Sequence, residues 1–120
     1  MSGLKVLLVE DEATIRMAVA DMLRAMGHSI AAEAGHMREA MALARSAKFD
    51  LAVLGLNFGG QMVYPVADLV QTRGVPFIFM TGYAQGISPK RFQNRPALRK
   101  PFSSEALSTA INQLRVAPAR

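Results

Sequence analysis

The feature that most narrows the fold is an alternation of two hydrophobic periods along the chain. Leu4-Lys5-Val6-Leu7-Leu8-Val9 is short and almost wholly apolar, the pattern of a strand buried on both faces. Ile15, Val19, Met22, Leu23 and Met26 then recur at helical spacing, and Gly27 follows as a stop signal. A weaker strand is predicted over His28 to Glu33, and Met37, Ala40, Met41, Ala44 and Ala47 mark a second amphipathic helix. Leu51 to Leu54 reads as another buried strand. Met62, Val63, Val66, Ala67 and Val70 form one helical stripe, closed by Arg73-Gly74. Pro76 to Met80 gives a fourth strand, with Pro76 tolerable at its start. Residues 83 to 96 are broken by Gly86, Pro89 and Pro96, so a fourth helix is predicted to be short and to lie near Ser88 to Gln93. Ala97-Leu98-Arg99 reads as a brief edge strand and Ser103 to Leu114 as a final helix, with Ser103 as its cap. Five strand–helix alternations predict a parallel sheet with helices on both faces, a doubly wound α/β domain. The whole chain, 1–120, reads as one domain, with residues 116–120 as a flexible tail.

Composition excludes several chemistries. There is no cysteine, so disulfides and thiolate chemistry are ruled out, and with only two histidines, His28 and His36, a zinc site is hard to assemble. No run approaches the roughly 18 apolar residues of a membrane span, and Met1-Ser2-Gly3 leads straight into the first strand, without room for a secretory signal. The expected location is the cytoplasm. Fourteen Lys+Arg against nine Asp+Glu give a net charge of +5, but no helix-turn-helix, zinc finger or basic-aromatic platform accompanies it. Nucleic acid is therefore not an expected partner. The first strand-to-helix turn, Glu10 to Thr14, contains no glycine and so no phosphate-cradling loop, and no nucleophile–base–orienter set is visible. An enzyme is not expected.

In doubly wound sheets the working site lies outside the carboxyl ends of the strands. Those ends carry Glu10-Asp11-Glu12, then Gly55-Leu56-Asn57, then Thr81-Gly82, then Lys100-Pro101. An acidic cluster, a hydroxyl and a lysine thus converge on one rim. Clustered carboxylates suit a hard cation such as Mg²⁺, and a hydroxyl with an ammonium suits phosphoryl oxygens.

The segments Val6 to Glu12, Phe49 to Leu54, Thr81-Gly82-Tyr83 and Lys100-Pro101-Phe102 resemble the receiver domain of two-component response regulators, over nearly the whole chain. The region around Gly59-Gly60 and Val63 to Asp68 is similar to stand-alone receivers of α-proteobacteria. The resemblance implies a flavodoxin-like (βα)5 fold with strand order 2-1-3-4-5. It assigns Glu10 and Asp11 to the acidic pair, Asn57 to the position whose backbone carbonyl reaches the metal, Thr81 to the switch hydroxyl and Lys100 to the phosphate-contacting lysine. Pro101 matches a proline usually preceded by a cis peptide bond. The implied partner is a histidine kinase or a downstream signalling protein, and the state a monomer or homodimer.

One position breaks the pattern. The residue that should be the phosphoryl-accepting aspartate is Gly55, which has no carboxylate. Asp50 stands at the opposite end of the same strand and Asp68 in the middle of a helix. The expectation is an atypical receiver acting as a phosphorylation-independent interaction module, with Mg²⁺ binding weak at most. The alternatives are phosphorylation at a displaced acceptor among Glu10, Asp11 and Glu12, or an ordinary receiver carrying an acceptor mutation. Ala97 replaces the aromatic residue that rotates in many receivers, and Tyr83 is placed to line or block the site. Lys90, Arg91, Arg95 and Arg99 are candidates for a basic docking patch, with a solvated loop as the plainer reading. Lys100 is expected to turn inward to Glu10 or Asp11. The seven internal methionines are read mostly as core filling.

Overall fold

A computed structural model describes residues 3–82, 87 and 89–116. The chain runs β1 (Lys5–Val9), α1 (Ala13–Ala25), β2 (Ser29–Ala34), α2 (Met37–Ser46), β3 (Leu51–Gly55), β4 (Asn57–Phe58), β5 (Gln61–Met62), α3 (Tyr64–Thr72), β6 (Phe77–Thr81), a single 3-10 turn (Lys90–Phe92), β7 (Ala97–Arg99) and α4 (Ser104–Val116). The main sheet has five parallel strands in the order β2-β1-β3-β6-β7. Every residue of β3 and β6 is buried, which accounts for their unbroken apolar runs.

Alternate side chains of each strand feed two cores. Leu7, Val9, Ala52, Leu54, Phe77 and Phe79 pack against α2 and α3 on one face. Val6, Leu8, Val53, Ile78 and Met80 pack against α1 and α4 on the other. Small residues, Ala40 and Ala44 on α2 and Ala67 on α3, let the helices seat closely on the sheet. Ser103 caps α4 as expected, its hydroxyl accepting the Ala106 N–H at 3.0 Å. No helix among the described residues is long and apolar enough to cross a membrane.

The expected (βα)5 plan needs correction in two places. Gly59 and Gly60 both have positive φ, 61° and 81°, and they turn a two-stranded antiparallel hairpin, β4–β5. Only glycine tolerates two such residues cheaply. The hairpin takes Met62 out of the helix, which starts at Tyr64 with Pro65 in its first turn. It also means that order 2-1-3-4-5 holds only when its two short strands are set aside.

The second correction lies between β6 and β7. The expected helix near Ser88 to Gln93 is reduced to one 3-10 turn, so the described residues hold four helices. Between Pro89 and Pro96 there is too little chain to propagate an α-helix. Phe92 does the packing instead. It is fully buried, stacked on Tyr64 at 5.7 Å and edge-on to Phe77 and Phe79. Two smaller differences follow. Val116 still belongs to α4 and not to a tail, whereas residues 117–120 and Tyr83 lie outside the described residues. Met17 is 65% exposed and so is not core filling.

Candidate functional site

Strand order reverses beside β1, with β2 on one side and β3 on the other, so the crevice at their carboxyl ends is the expected place for a site. The residues singled out from the sequence meet there. Val9 pairs with Leu54, Gly55 with Met80 and Thr81 with Arg99, which brings Glu10, Gly55, Thr81 and Lys100 to neighbouring strand ends. A cleft of about 330 Å³ lies over them, lined by Asp11, Glu12, Asn57, Met80, Gly82 and Lys100. The Lys100–Pro101 bond is cis, as the resemblance implies.

The three consecutive acids do not share one fate. Glu10 is fully buried, while Asp11 and Glu12 are exposed. Backbone pairing holds Glu10 on both sides: its N–H donates to Ala34 O at 3.1 Å, and Arg16 Nη1 donates to its carbonyl at 2.6 Å. Its carboxylate is also fully engaged. Oε1 accepts from Lys100 Nζ at 2.8 Å and Oε2 from the Glu12 N–H at 3.0 Å. An isolated buried carboxylate would be very costly, so this pairing is what allows Glu10 to stay inside. Lys100 thus turns inward, and of the two expected partners it selects Glu10.

Asp11 does different work. Its Oδ2 accepts the Gly59 N–H at 2.9 Å, tying the β1–α1 turn to the tip of the hairpin. Burial raises its pKa, but the N–H groups of Gly59 and of Asp11 itself, with the nearby Lys100 charge, hold it below the usual 3.8. Asn57 is exposed and sits in β4 opposite Met62. Thr81 is buried at the end of β6, and its carbonyl accepts the Lys100 N–H at 2.7 Å.

Gly55 fits tightly. A Cβ added there would lie 2.8 Å from Glu10 Oε1 and 3.4 Å from the Val9 carbonyl oxygen, so a side chain at position 55 would meet the tip of Glu10 first. The sequence hinted at neither this contact nor which of the three acids goes inside.

The sequence matches the response regulator receiver domain family over residues 6–112. The chain belongs to that family. This receiver is 34% identical over 111 residues to the transcriptional regulatory protein PdtaR of Mycobacterium tuberculosis, covering 89% of this chain and 54% of that protein. It is 32% identical over 118 residues to the phyllosphere-induced regulator PhyR of Methylorubrum extorquens, covering 91% and 42%. It therefore spans about half the length of these curated relatives. Among solved structures, SdrG from Sphingomonas melonis Fr1 superposes with a TM-score of 0.84 at 33% identity, covering 97% of this chain and all of that one. The flavodoxin-like receiver fold and a place in two-component signalling follow from this membership.

Receivers generally bind Mg²⁺ at such an acidic pocket, and the carboxylates of Glu10, Asp11 and Glu12 come within 4.8 Å of one another. The donors present fit the ion poorly. Both oxygens of Glu10 and one of Asp11 already accept hydrogen bonds, and Gly55 supplies no oxygen from a side chain. A six-coordinate ion needs several free oxygens.

The basic residues near β7 have partners within the chain. Arg91 is bonded through Nε and Nη2 to both oxygens of Asp68, at 2.8 and 3.0 Å, and lies over the Phe92 ring. Arg95 donates to Gln71 Oε1 at 2.8 Å and lies over Phe77. Two of the four candidate docking cations therefore also clamp residues 89–96 onto α3, and Lys90, Arg91 and Arg99 are exposed.

Proposed function

We propose that this chain is an atypical receiver that signals through protein contact, without phosphorylation at position 55. The observation that carries this reading is the Gly55–Glu10 contact. The position that resembles the acceptor has no carboxylate, and the neighbouring carboxylate is already paired with Lys100. In this reading Glu10, Asp11 and the Asn57 carbonyl form a weak or vestigial metal site, and Thr81 and Lys100 are switch positions without a phosphoryl group to contact. The partner is a protein, either a histidine kinase or a downstream signalling protein in the cytoplasm. The single receiver domain works as a binding module and not as an enzyme.

The test is the intact mass of the protein before and after incubation with acetyl phosphate and Mg²⁺, with Gly55→Asp alongside. No phosphoryl gain on the wild type supports the reading. A gain on the wild type means that another carboxylate accepts phosphate, and overturns it.

A further inference from the structure

We propose that the pole of the domain where α2 and α3 end is a docking surface for an acidic segment of a partner protein. The inference deepens the reading of this chain as a receiver that signals by contact, and rests on it. It adds the surface used and the charge of the partner.

Charge is not spread evenly over the chain. Residues 37–75 and 89–99 hold eight basic and three acidic residues, which accounts for the whole net charge of +5. The rest balances six basic against six acidic residues. Helices α2 and α3 and the segment around Phe92 pack on the same face of the sheet, so the excess lies on one side of the molecule.

On that side the cations gather where the two helices end. Arg73, the C-cap of α3, donates through Nη1 and Nη2 to the carbonyls of Ala44 and Ala47, each at 2.7 Å. Those residues are the chain neighbours of Arg45 and Lys48, both exposed. Arg95 reaches the same pole from the opposite flank, through Gln71 in the last turn of α3. Arg73 also stands over the Phe49 ring and Arg95 over Phe77, each guanidinium 4.7 Å from the centroid. Carbonyls, amide and rings thus fix two guanidiniums before any partner arrives, which lowers the ordering cost of binding.

None of these four cations is neutralised. Arg73 is bonded to carbonyls and Arg95 to an amide, and among the described residues no carboxylate pairs with Arg45, Lys48, Arg73 or Arg95. Two fixed forks flanked by two free side chains suit carboxylates, which a guanidinium binds in a planar, paired geometry. Nucleic acid is the poorer match. Phe49 and Phe77 are buried beneath their arginines, so these rings are closed to stacking bases. The helices present their C-terminal ends at this pole, without the N-terminal N–H groups that hold phosphates.

Short poly-L-glutamate, labelled for fluorescence anisotropy, is the probe, with a single-stranded DNA oligonucleotide of matched charge as its rival. Poly-L-glutamate should bind the wild type saturably, weaken as salt rises and shift the amide signals of Arg45, Lys48, Arg73 and Arg95. Arg45→Glu with Lys48→Glu alters two exposed side chains and should weaken binding by on the order of tenfold. Lys5→Glu with Arg24→Glu makes the same change in net charge on the balanced part of the chain and should cost less than about threefold. No saturable binding, equal losses for the two pairs, shifts centred elsewhere, or tighter binding of the oligonucleotide would overturn the proposal. Binding that requires acetyl phosphate and Mg²⁺ would instead overturn the phosphorylation-independent reading and leave the surface standing.

Discussion

This chain departs from the receiver pattern in two regions, and the two are held differently. At the rim, the acceptor carboxylate is missing and a buried ion pair stands beside the gap: Glu10 lies next to Gly55 and pairs with Lys100. Between β6 and β7, where the described residues form only a 3-10 turn, the filling is volume: Phe92 plugs the core and Arg91 and Arg95 clamp its loop to α3. Beside the rim lies a polar cleft, where substitution changes electrostatics. The second gap lies over a dry aromatic cluster, where substitution leaves a cavity. The contrast teaches that a degenerate site need not be a relaxed one. Both regions are held by specific contacts.

The comparison makes ranked predictions. Phe92→Ala removes a fully buried ring with three aromatic neighbours and should cost about 4 kcal/mol in urea denaturation, with no dependence on salt. A loss below about 1 kcal/mol would mean that the loop is not anchored there. Lys100→Met leaves the buried Glu10 carboxylate without its cation and should cost about 3 kcal/mol at neutral pH. That loss should be largely recovered by Glu10→Gln in the same chain, which removes the unpaired buried charge, whereas the Phe92→Ala loss should not respond to that change. Equal responses of the two variants would erase the distinction between the regions. Arg95→Ala gives up one hydrogen bond and a ring contact and should cost about 1 kcal/mol. Arg91→Ala, at a half-exposed ion pair, should change the midpoint less still.

A third site gives a reference outside both regions. His28 Nδ1 accepts the Leu4 N–H at 2.9 Å at the start of β1, and burial, with Arg115 nearby, lowers its pKa from the usual 6.5. Between the lowered folded value and 6.5 the unfolded chain binds the extra proton, so stability is full above 6.5 and falls as pH drops below it. His28→Asn keeps an acceptor and should remove that limb from a melting-temperature profile. If the limb persists, its source lies elsewhere.

Much of the fold could be read from the residues because the periods are strong. The runs at 5–9, 51–54 and 77–80 can only be buried strands, and the stripes of α1, α2 and α4 are clear. Two features escaped. Gly59-Gly60 between short polar-apolar pairs is a hairpin signal, but Met62 and Val63 extend the next helical stripe and mask it. Phe92 has no periodic neighbours, since prolines flank it on both sides, so nothing in the sequence marks it as a plug of the core. At the site, the residues at the strand ends were legible and their pairing was not. Nothing in Glu10-Asp11-Glu12 says which acid goes inside; the buried one is the one that meets Lys100, 90 positions away in the chain.

The most direct test is a pair of ¹⁵N–¹H correlation spectra of the wild-type protein, with and without acetyl phosphate and Mg²⁺ together. The account predicts that the amide signals of Gly55, Thr81 and Lys100 show no saturable shift, because position 55 has no carboxylate and Glu10 is already paired with Lys100. Saturable shifts converging on those three residues would show that the rim still answers to phosphodonor and metal, and would contradict it.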